Sequence, residues 1–460
     1  KLISNWKNSI DCLYRDFSSA SLFILLLFKK NMTFEKINIF WFRRDLRLDD
    51  NRGLAEALHG GLPVLPVFIF DTGIIDELSK DDARINFIYD TLVVLNTSLN
   101  KYGSGIYCLK GHPLEVWKQI LQQFDINCVY ANEDYESYAI QRDKSIERLL
   151  SEKGIAFKLY KDQVIFAKDE ILKSDGTPYS VFTPFKNQWL HKFGNQKNIS
   201  WPTFNQSNYM KLKIPFPSLV EIGFKQSTIK VIPYDLTHID RYSEVRDYPH
   251  LDQTTHLSPH LRFGTLSIRS IVKQAASHPV FLSELIWREF FMQILFHYPE
   301  VVHANFKKKY DIIPWRNNEK EYEAWKNGTT GYPMVDAGMR ELYKTGYMHN
   351  RVRMITAGFL CKHLLIDWRW GEAYFAEKLL DYELASNNGN WQWAAGTGCD
   401  AAPYFRIFNP QEQLNKYDKD KTYVKKWIPE INTPDYPSPI VNHQTARERA
   451  IATYQKTIKS

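Results

Sequence analysis

Residues 37–42 read INIFWF, a six-residue run with one polar side chain, Asn38, that ends at Arg43 and Arg44. A run this short, without apolar–polar alternation, fits a strand buried on both faces of a sheet. The pattern returns in LPVLPVFIF (62–70), GIYCL (105–109), CVYAN (128–132) and AFKLY (156–160). Helical segments lie between them, among them 83–102, 113–124 and 138–153. Strands alternating with helices predict a parallel sheet covered on both faces, hence a doubly wound α/β domain over 32–165. It contains no GxGxxG, so a dinucleotide fingerprint is not part of it.

Outward from that domain the pattern changes. Residues 166–235 are rich in Pro, Ser, Asn and Lys with little sustained period, and read as an interdomain connector. From 236 to 460 helical periodicity dominates, over 267–276, 281–296, 319–326, 334–345, 351–365 and 370–380, which predicts an all-α domain. On the N-terminal side, the apolar stretch LFILLLF (22–28) is too short to span a bilayer. It is followed by KKNM rather than by a small-residue cleavage site. Residues 1–31 therefore read as an extension outside the fold, with translation expected to begin at Met32.

The 460 residues are 44% hydrophobic, which excludes global disorder, and 15% aromatic with 13 Trp. Indole and phenol rings serve cores, but they also stack on planar ligands. The net charge of +7 permits a polyanionic partner without requiring one. Cys12, Cys108, Cys128, Cys361 and Cys399 are scattered and form no CxxC pair. That argues against a disulfide framework or a metal site, and for small buried hydrophobes in a reducing compartment.

Four stretches carry candidate chemistry. In TTHLSPHLRFGTLS, Ser258 before Pro259 has the form of an N-cap followed by an N1 proline. With Thr254 and Thr255 it gathers hydroxyls at a helix start, either plain capping or an anion cradle. In FLSELIWREFFMQILFHYP, Glu284, Trp287, Arg288 and Phe291 share one helix face, either a paired rim of the core or the wall of a planar polar ligand's cavity. In GYMHNRVRM, Asn350, Arg353 and Met354 share a face with Arg351 turned away. Asn350 is able to read a nucleobase or flavin edge, or to end a helix. In DYELASNNGNWQW, Asp381 is spaced to pair with Arg353, and Glu383, Asn387, Trp391 and Trp393 follow. Stacking surfaces and amides dominate here, in place of the titratable groups of a hydrolase site.

Together FWFRRDLRLDDN, TTHLSPHLRFGTLS, ELIWREF, GYMHNRVRM, NNGNWQWAAGTGCDAAPYFRIFNP and YPSPIVNHQTARERA resemble the photolyase/cryptochrome family, closest to bacterial class I cyclobutane pyrimidine dimer photolyases. The likeness covers residues 37–454 in the family order. It implies an antenna-type α/β domain and a helical domain holding a U-shaped FAD, whose working form is the reduced anion FADH−, under a basic DNA-binding surface. Tyr242, Thr254, Thr255, Leu257 and Ser258 then match its phosphate and ribityl cradle, Arg353 and Asp381 the ion pair beside the isoalloxazine, and Asn387 the residue facing flavin N5. Arg288, Asn350 and Glu383 match further positions around the cofactor. Glu284, Trp287, Asn350, Met354 and Trp393 match the pocket for a flipped-out dimer, with Glu284, Asn387 and Trp393 nearest the chemistry. Arg246, Arg288, Arg351 and Arg406 match the DNA surface, and Trp391, Trp368 and Trp315 an electron-transfer chain.

Two departures stand out. Tyr347 and Glu383 replace the Trp and Asp common in relatives, from which tuning of the site is expected. YESYAIQRD lacks the Asn-Glu pair of folate-antenna enzymes, so a second chromophore, if present, is of another type. The expected function is light-dependent repair of cyclobutane dimers in damaged DNA by a cytoplasmic, non-membrane monomer. The alternative is a cryptochrome-type blue-light receptor acting through a partner. Such receptors usually carry a long tail after the core, and this sequence stops soon after HQTARERAIATYQ. A (6-4) photoproduct photolyase would place histidines where Asn350 and Met354 stand.

Overall fold

The computed structural model describes residues 35–195 and 208–459. The expectations for residues 1–31, and Cys12 among them, lie outside the described residues. The chain divides into two compact units. Among the described residues the first comprises 35–165, 208–231 and 263–271; the second comprises 166–195, 232–262 and 272–459.

The first unit is built on β1 (Ile37–Phe42), α1 (Arg52–His59), β2 (Val64–Asp71), α2 (Ala83–Asn100), β3 (Tyr107–Gly111), α3 (Pro113–Gln123), β4 (Ile126–Asn132), α4 (Ser137–Ser151) and β5 (Ala156–Tyr160). The five strands are parallel in the order β3-β2-β1-β4-β5. β1 and β2 are buried at every residue, as their continuous apolar runs require, whereas β5 closes an edge and is largely exposed. Successive residues of β1 enter opposite cores: Phe40 and Phe42 in one, Ile39 and Trp41 in the other.

Strand order reverses between β1 and β4, the point at which doubly wound sheets usually take ligands. There Arg43 donates to both oxygens of Asp143 (2.5 and 2.6 Å) and to the Asn132 carbonyl. Asn132 in turn donates to Asp45 (2.5 Å) and Asn51 (2.8 Å). Behind this, Arg47 and Arg269 converge on Asp162 at 2.6 and 2.8 Å, a carboxylate that is 1% exposed.

The second unit is helical: α5 (Phe182–Gly194), α6 (Ser258–Arg262), α7 (Pro279–His297), α8 (Glu319–Lys326), α9 (Pro333–Thr345), α10 (Asn350–Gly358), α11 (Trp368–Lys378), α12 (Leu384–Ala395), α13 (Pro410–Tyr417), α14 (Thr422–Trp427) and α15 (His443–Lys459). Its core gathers Trp325, Met339, Leu342, Val352, Trp368, Phe375 and Trp391. Two expectations change. The stretch read as a connector contains α5, which buries Phe182, Phe185 and Trp189; three aromatics spaced at helical intervals outweigh the Pro- and Lys-rich surroundings. The helix expected over 351–365 is α-helical only to Gly358, then turns into a fully buried π-helical segment, Phe359–Leu364, that ends on Leu365 at φ +51°.

Candidate functional site

Helix α12 organises the site, carrying Asn387, Trp391 and Trp393. Small residues let its neighbours close in: a Cβ on Gly389 would fall 2.1 Å from Phe291, and one on Gly371 would fall 2.1 Å from Trp391. Asn387 is 8% exposed, and its Nδ2 donates to the Glu372 carbonyl at 3.1 Å. Burial pushes the Glu372 carboxyl up to about 7, against the lowering effect of hydrogen bonds from Asn388 and Asn387.

A second layer surrounds Asp381. Arg353 donates to both its oxygens at 3.1 and 2.9 Å and fixes its own Nε on the Met348 carbonyl. Ser258 Oγ donates to Asp381 Oδ2 at 2.6 Å. This corrects the capping reading. The hydroxyl is drawn to a nearly buried carboxylate with lone pairs to fill, and Ser258 is the first residue of the five-residue α6 instead of its cap. Thr254 Oγ1 lies 3.0 Å from Tyr347 Oη, a contact that a Trp at 347 would not make. Burial pushes the Tyr347 phenol up to about 12. The Thr255 carbonyl accepts from Asp235 N, Leu257 is buried, and Tyr242 packs edge-on against Phe281. His256 Nδ1 and His349 Nε2 are buried with no hydrogen-bond partner among the described residues.

Three of the four expected DNA-surface arginines are tied to carboxylates. Arg246 binds Glu284 at 2.7 Å, Arg351 binds Asp247 at 2.7 Å, and Arg288 binds Glu383 at 3.1 Å. Arg351, expected to turn away from its neighbours, also reaches Met354 Sδ (3.8 Å) and caps the Tyr417 ring. Arg406 is exposed beside Phe408. Trp287 stacks on Phe182 at 3.6 Å and 8°, so one face of the expected pocket wall is already covered. A small hollow of about 10 Å³, room for little more than a water molecule, is lined by Met354, Lys362, Trp393, Arg406 and Phe408 among others. Of the five expected pocket residues it takes Met354 and Trp393; Glu284, Trp287 and Asn350 lie outside its lining.

The three tryptophans of the expected chain differ in setting. Trp391 and Trp368 are buried in the core, and Trp315 packs on it from a half-buried position. Trp391 meets Phe375 at 4.9 Å and Trp325 at 6.1 Å, Trp368 donates to Asn305, and Trp315 meets Tyr454 edge-on at 6.2 Å.

With this geometry in place, the relatives are informative. Residues 281–435 match the FAD binding domain of DNA photolyase, and residues 38–203 match the DNA photolyase domain. The deoxyribodipyrimidine photo-lyase of Halobacterium salinarum is 37% identical over 91% of this chain and 99% of that protein. That of Escherichia coli is 35% identical over 92% and 99%. The chain belongs to the DNA photolyase family. Among solved structures, a bacterial class III photolyase from Agrobacterium tumefaciens superposes with a TM-score of 0.82 at 33% identity over 93% of this chain and 99% of that one. An archaeal photolyase from Sulfolobus tokodaii, solved with two FAD molecules, gives 0.77 at 35% over 91% and 99%. Arg353, Asp381 and Asn387 fall inside the matched FAD-binding region, and Tyr242 to Ser258 precede it.

Four residues that the motifs did not single out lie beside the expected ones: Glu372 at Asn387, Lys362 beside Trp393, Trp325 at Trp391 and Phe182 on Trp287. Lys362 alone left a sequence signal, a charge inside the apolar run GFLCKHLLI. Among the described residues no group of His, Cys, Asp or Glu is placed to hold a metal, and no helix is long and apolar enough to cross a membrane.

Proposed function

We propose that this chain is a deoxyribodipyrimidine photo-lyase that repairs cyclobutane pyrimidine dimers in DNA under blue or near-UV light, with FAD held in the helical unit. One observation carries the residue-level reading. A single helix, α12, bears a buried amide at Asn387, a buried indole at Trp391 and a cavity-lining indole at Trp393.

The donor set fits a flavin nucleotide. Arg353 supplies a fixed cation on Asp381, Thr254, Thr255 and Ser258 supply hydroxyls, and the buried, unpartnered His256 Nδ1 and His349 Nε2 offer open valences of the kind a polar ligand fills. When bound, the reduced and excited flavin supplies one electron and takes it back, so no net redox change is required. The side chains do the rest. Asn387, locked by the Glu372 carbonyl, presents its amide oxygen in a fixed direction. Trp393 and Met354 wall the cavity, a surface on which an extruded base stacks. Glu284 keeps one oxygen on Arg246 and offers the other to a base edge, with Asn350 exposed at the head of α10. Trp391, Trp368 and Trp315 serve to restore the reduced cofactor. Arg246, Arg288, Arg351 and Arg406 exchange their present partners for phosphates.

We also place the protein in the cytoplasm as a monomer; the free, buried thiols of Cys108, Cys128, Cys361 and Cys399 fit a reducing compartment. An absorption spectrum showing a band besides those of one flavin would establish a second chromophore. The deciding experiment is an oligonucleotide carrying one thymine dimer, mixed with reduced, FAD-loaded protein in light and in darkness. Loss of the dimer in light alone is expected. Equal dimer content in both arms rejects the proposal.

A further inference from the structure

The cavity beside Trp393 has a buried lysine in its wall. Lys362 is 3% exposed and belongs to the π-helical segment. Its Nζ donates to the Ala395 carbonyl at 2.6 Å and lies 3.7 Å from the centre of the Tyr454 ring. Tyr454, wholly buried on α15, donates its hydroxyl to the same carbonyl at 2.6 Å. Ala395 is the last residue of α12, two positions beyond Trp393, and the chain leaves the helix at Gly396 with φ +82°.

The arrangement answers a specific structural need. The last carbonyls of a helix have no partner within it. Backbone N–H groups of Gly396 and Thr397 return to Trp393 and Gln392, and the Ala395 carbonyl is left to side chains. Two donors from two other elements converge on it, one of them a cation at the negative end of the helix dipole. A neutral donor would satisfy the carbonyl at lower desolvation cost, since burial pushes the Lys362 ammonium down to about 7. Lys362 and Arg406 moreover line one cavity, so that space is bounded by two cations and the Trp393 indole.

We propose that Lys362 is a positioning residue for dimer recognition: with Tyr454 it clamps the C-terminus of α12, and so fixes Trp393 as the wall against which a dimer is held. The inference rests on the lesion-pocket reading above and adds a specificity determinant to it.

The test uses FAD-loaded protein and the variants Lys362→Met, Lys362→Arg, Tyr454→Phe and the double variant Lys362→Met/Tyr454→Phe. Affinity is measured for matched oligonucleotides with and without one thymine dimer. Near-UV circular dichroism reports the tryptophan environment, and thermal melting reports the fold. Each single variant leaves the carbonyl one donor, so the dimer/undamaged affinity ratio should fall only about threefold. The double variant strands a buried acceptor and should lose about thirtyfold, more than the product of the singles. Lys362→Arg should recover most of the Lys362→Met loss. A merely structural clamp would lower melting and both affinities together with the ratio unchanged, and that result overturns the proposal. So does a double variant that melts, shows circular dichroism and discriminates like the wild type. A wild type blind to dimers would instead reject the repair function, while non-additive circular dichroism changes would still show whether the clamp fixes Trp393.

Discussion

The two units handle buried charge in opposite ways. In the α/β unit, Asp162 is 1% exposed and held by Arg47 and Arg269, and Arg269 also binds Asp50, so these charges meet away from water, with Arg47 Nε alone left without a partner among the described residues. In the helical unit the pairs Arg246–Glu284 and Arg351–Asp247 are partly open to solvent, whereas Arg288–Glu383 is nearly buried. Buried atoms of His256 and His349 there stay without partners. A network kept from water gives a ligand little access. An open one retains valences, and its ion pairs, weakened by water, are exchangeable for phosphate contacts. Polar groups thus hold one unit together and leave the other ready to bind.

The sharpest way to break this contrast is Asp162→Ala. It leaves the buried Arg47 guanidinium without a carboxylate and Arg269 with Asp50 alone, and should cost about 3–5 kcal/mol in denaturant unfolding. Dimer affinity should be unchanged in the folded fraction; a drop would show that the closed network also serves binding.

Trp393→Ala should do the reverse. It should weaken dimer binding by about 1–3 kcal/mol, the usual loss for a base-stacking ring, in a titration against undamaged DNA. The melting temperature should move little, because Trp393 is only half-buried.

The exchangeable pairs can be counted with salt. If all four arginines meet phosphates, log K against log salt should slope by roughly −3 to −4. Arg246→Ala should make that slope shallower by about 0.9. An unchanged slope would mean that the Glu284 pair does not open.

A further effect is expected in pH. Glu372 titrates near 7 in the fold, raised by burial above its ordinary 4.5. The native state therefore binds the proton more tightly than the unfolded chain does. This contribution to stability is complete below about pH 4.5 and is lost as pH rises through about 7. Glu372→Gln should flatten the decline in melting temperature across pH 5–8. A decline that persists unchanged would assign it elsewhere, with buried Glu341, also pushed up to about 7 by burial, the next candidate.

Legibility followed the range of the interactions. INIFWF and its successors located all five strands: β1 and β2, buried on both faces, are apolar almost throughout, and the exposed edge strand β5 keeps a short run of the same kind. Likewise 319–326 matched α8 to the residue, since its Asn318 cap and periodic face are local features. Helix α12 escaped the periodicity reading. A helix packed on both sides, with Asn387 and Trp393 turned toward a site, has no single apolar stripe to find. α5 was lost for a related reason, its three buried aromatics being diluted by lysines and a proline.

What the sequence settled by itself was the fold class and the family, because apolar period and motif spacing are written along the chain. What only the tertiary structure decided was which polar atoms are used up and which remain open. Ser258 bonded to Asp381, Glu284 paired with Arg246, and Lys362 seated on the end of α12 are contacts between residues 123, 38 and 33 positions apart. Hydrogen bonds are short and directional, so their partners are chosen by packing in three dimensions and leave no periodic mark in one.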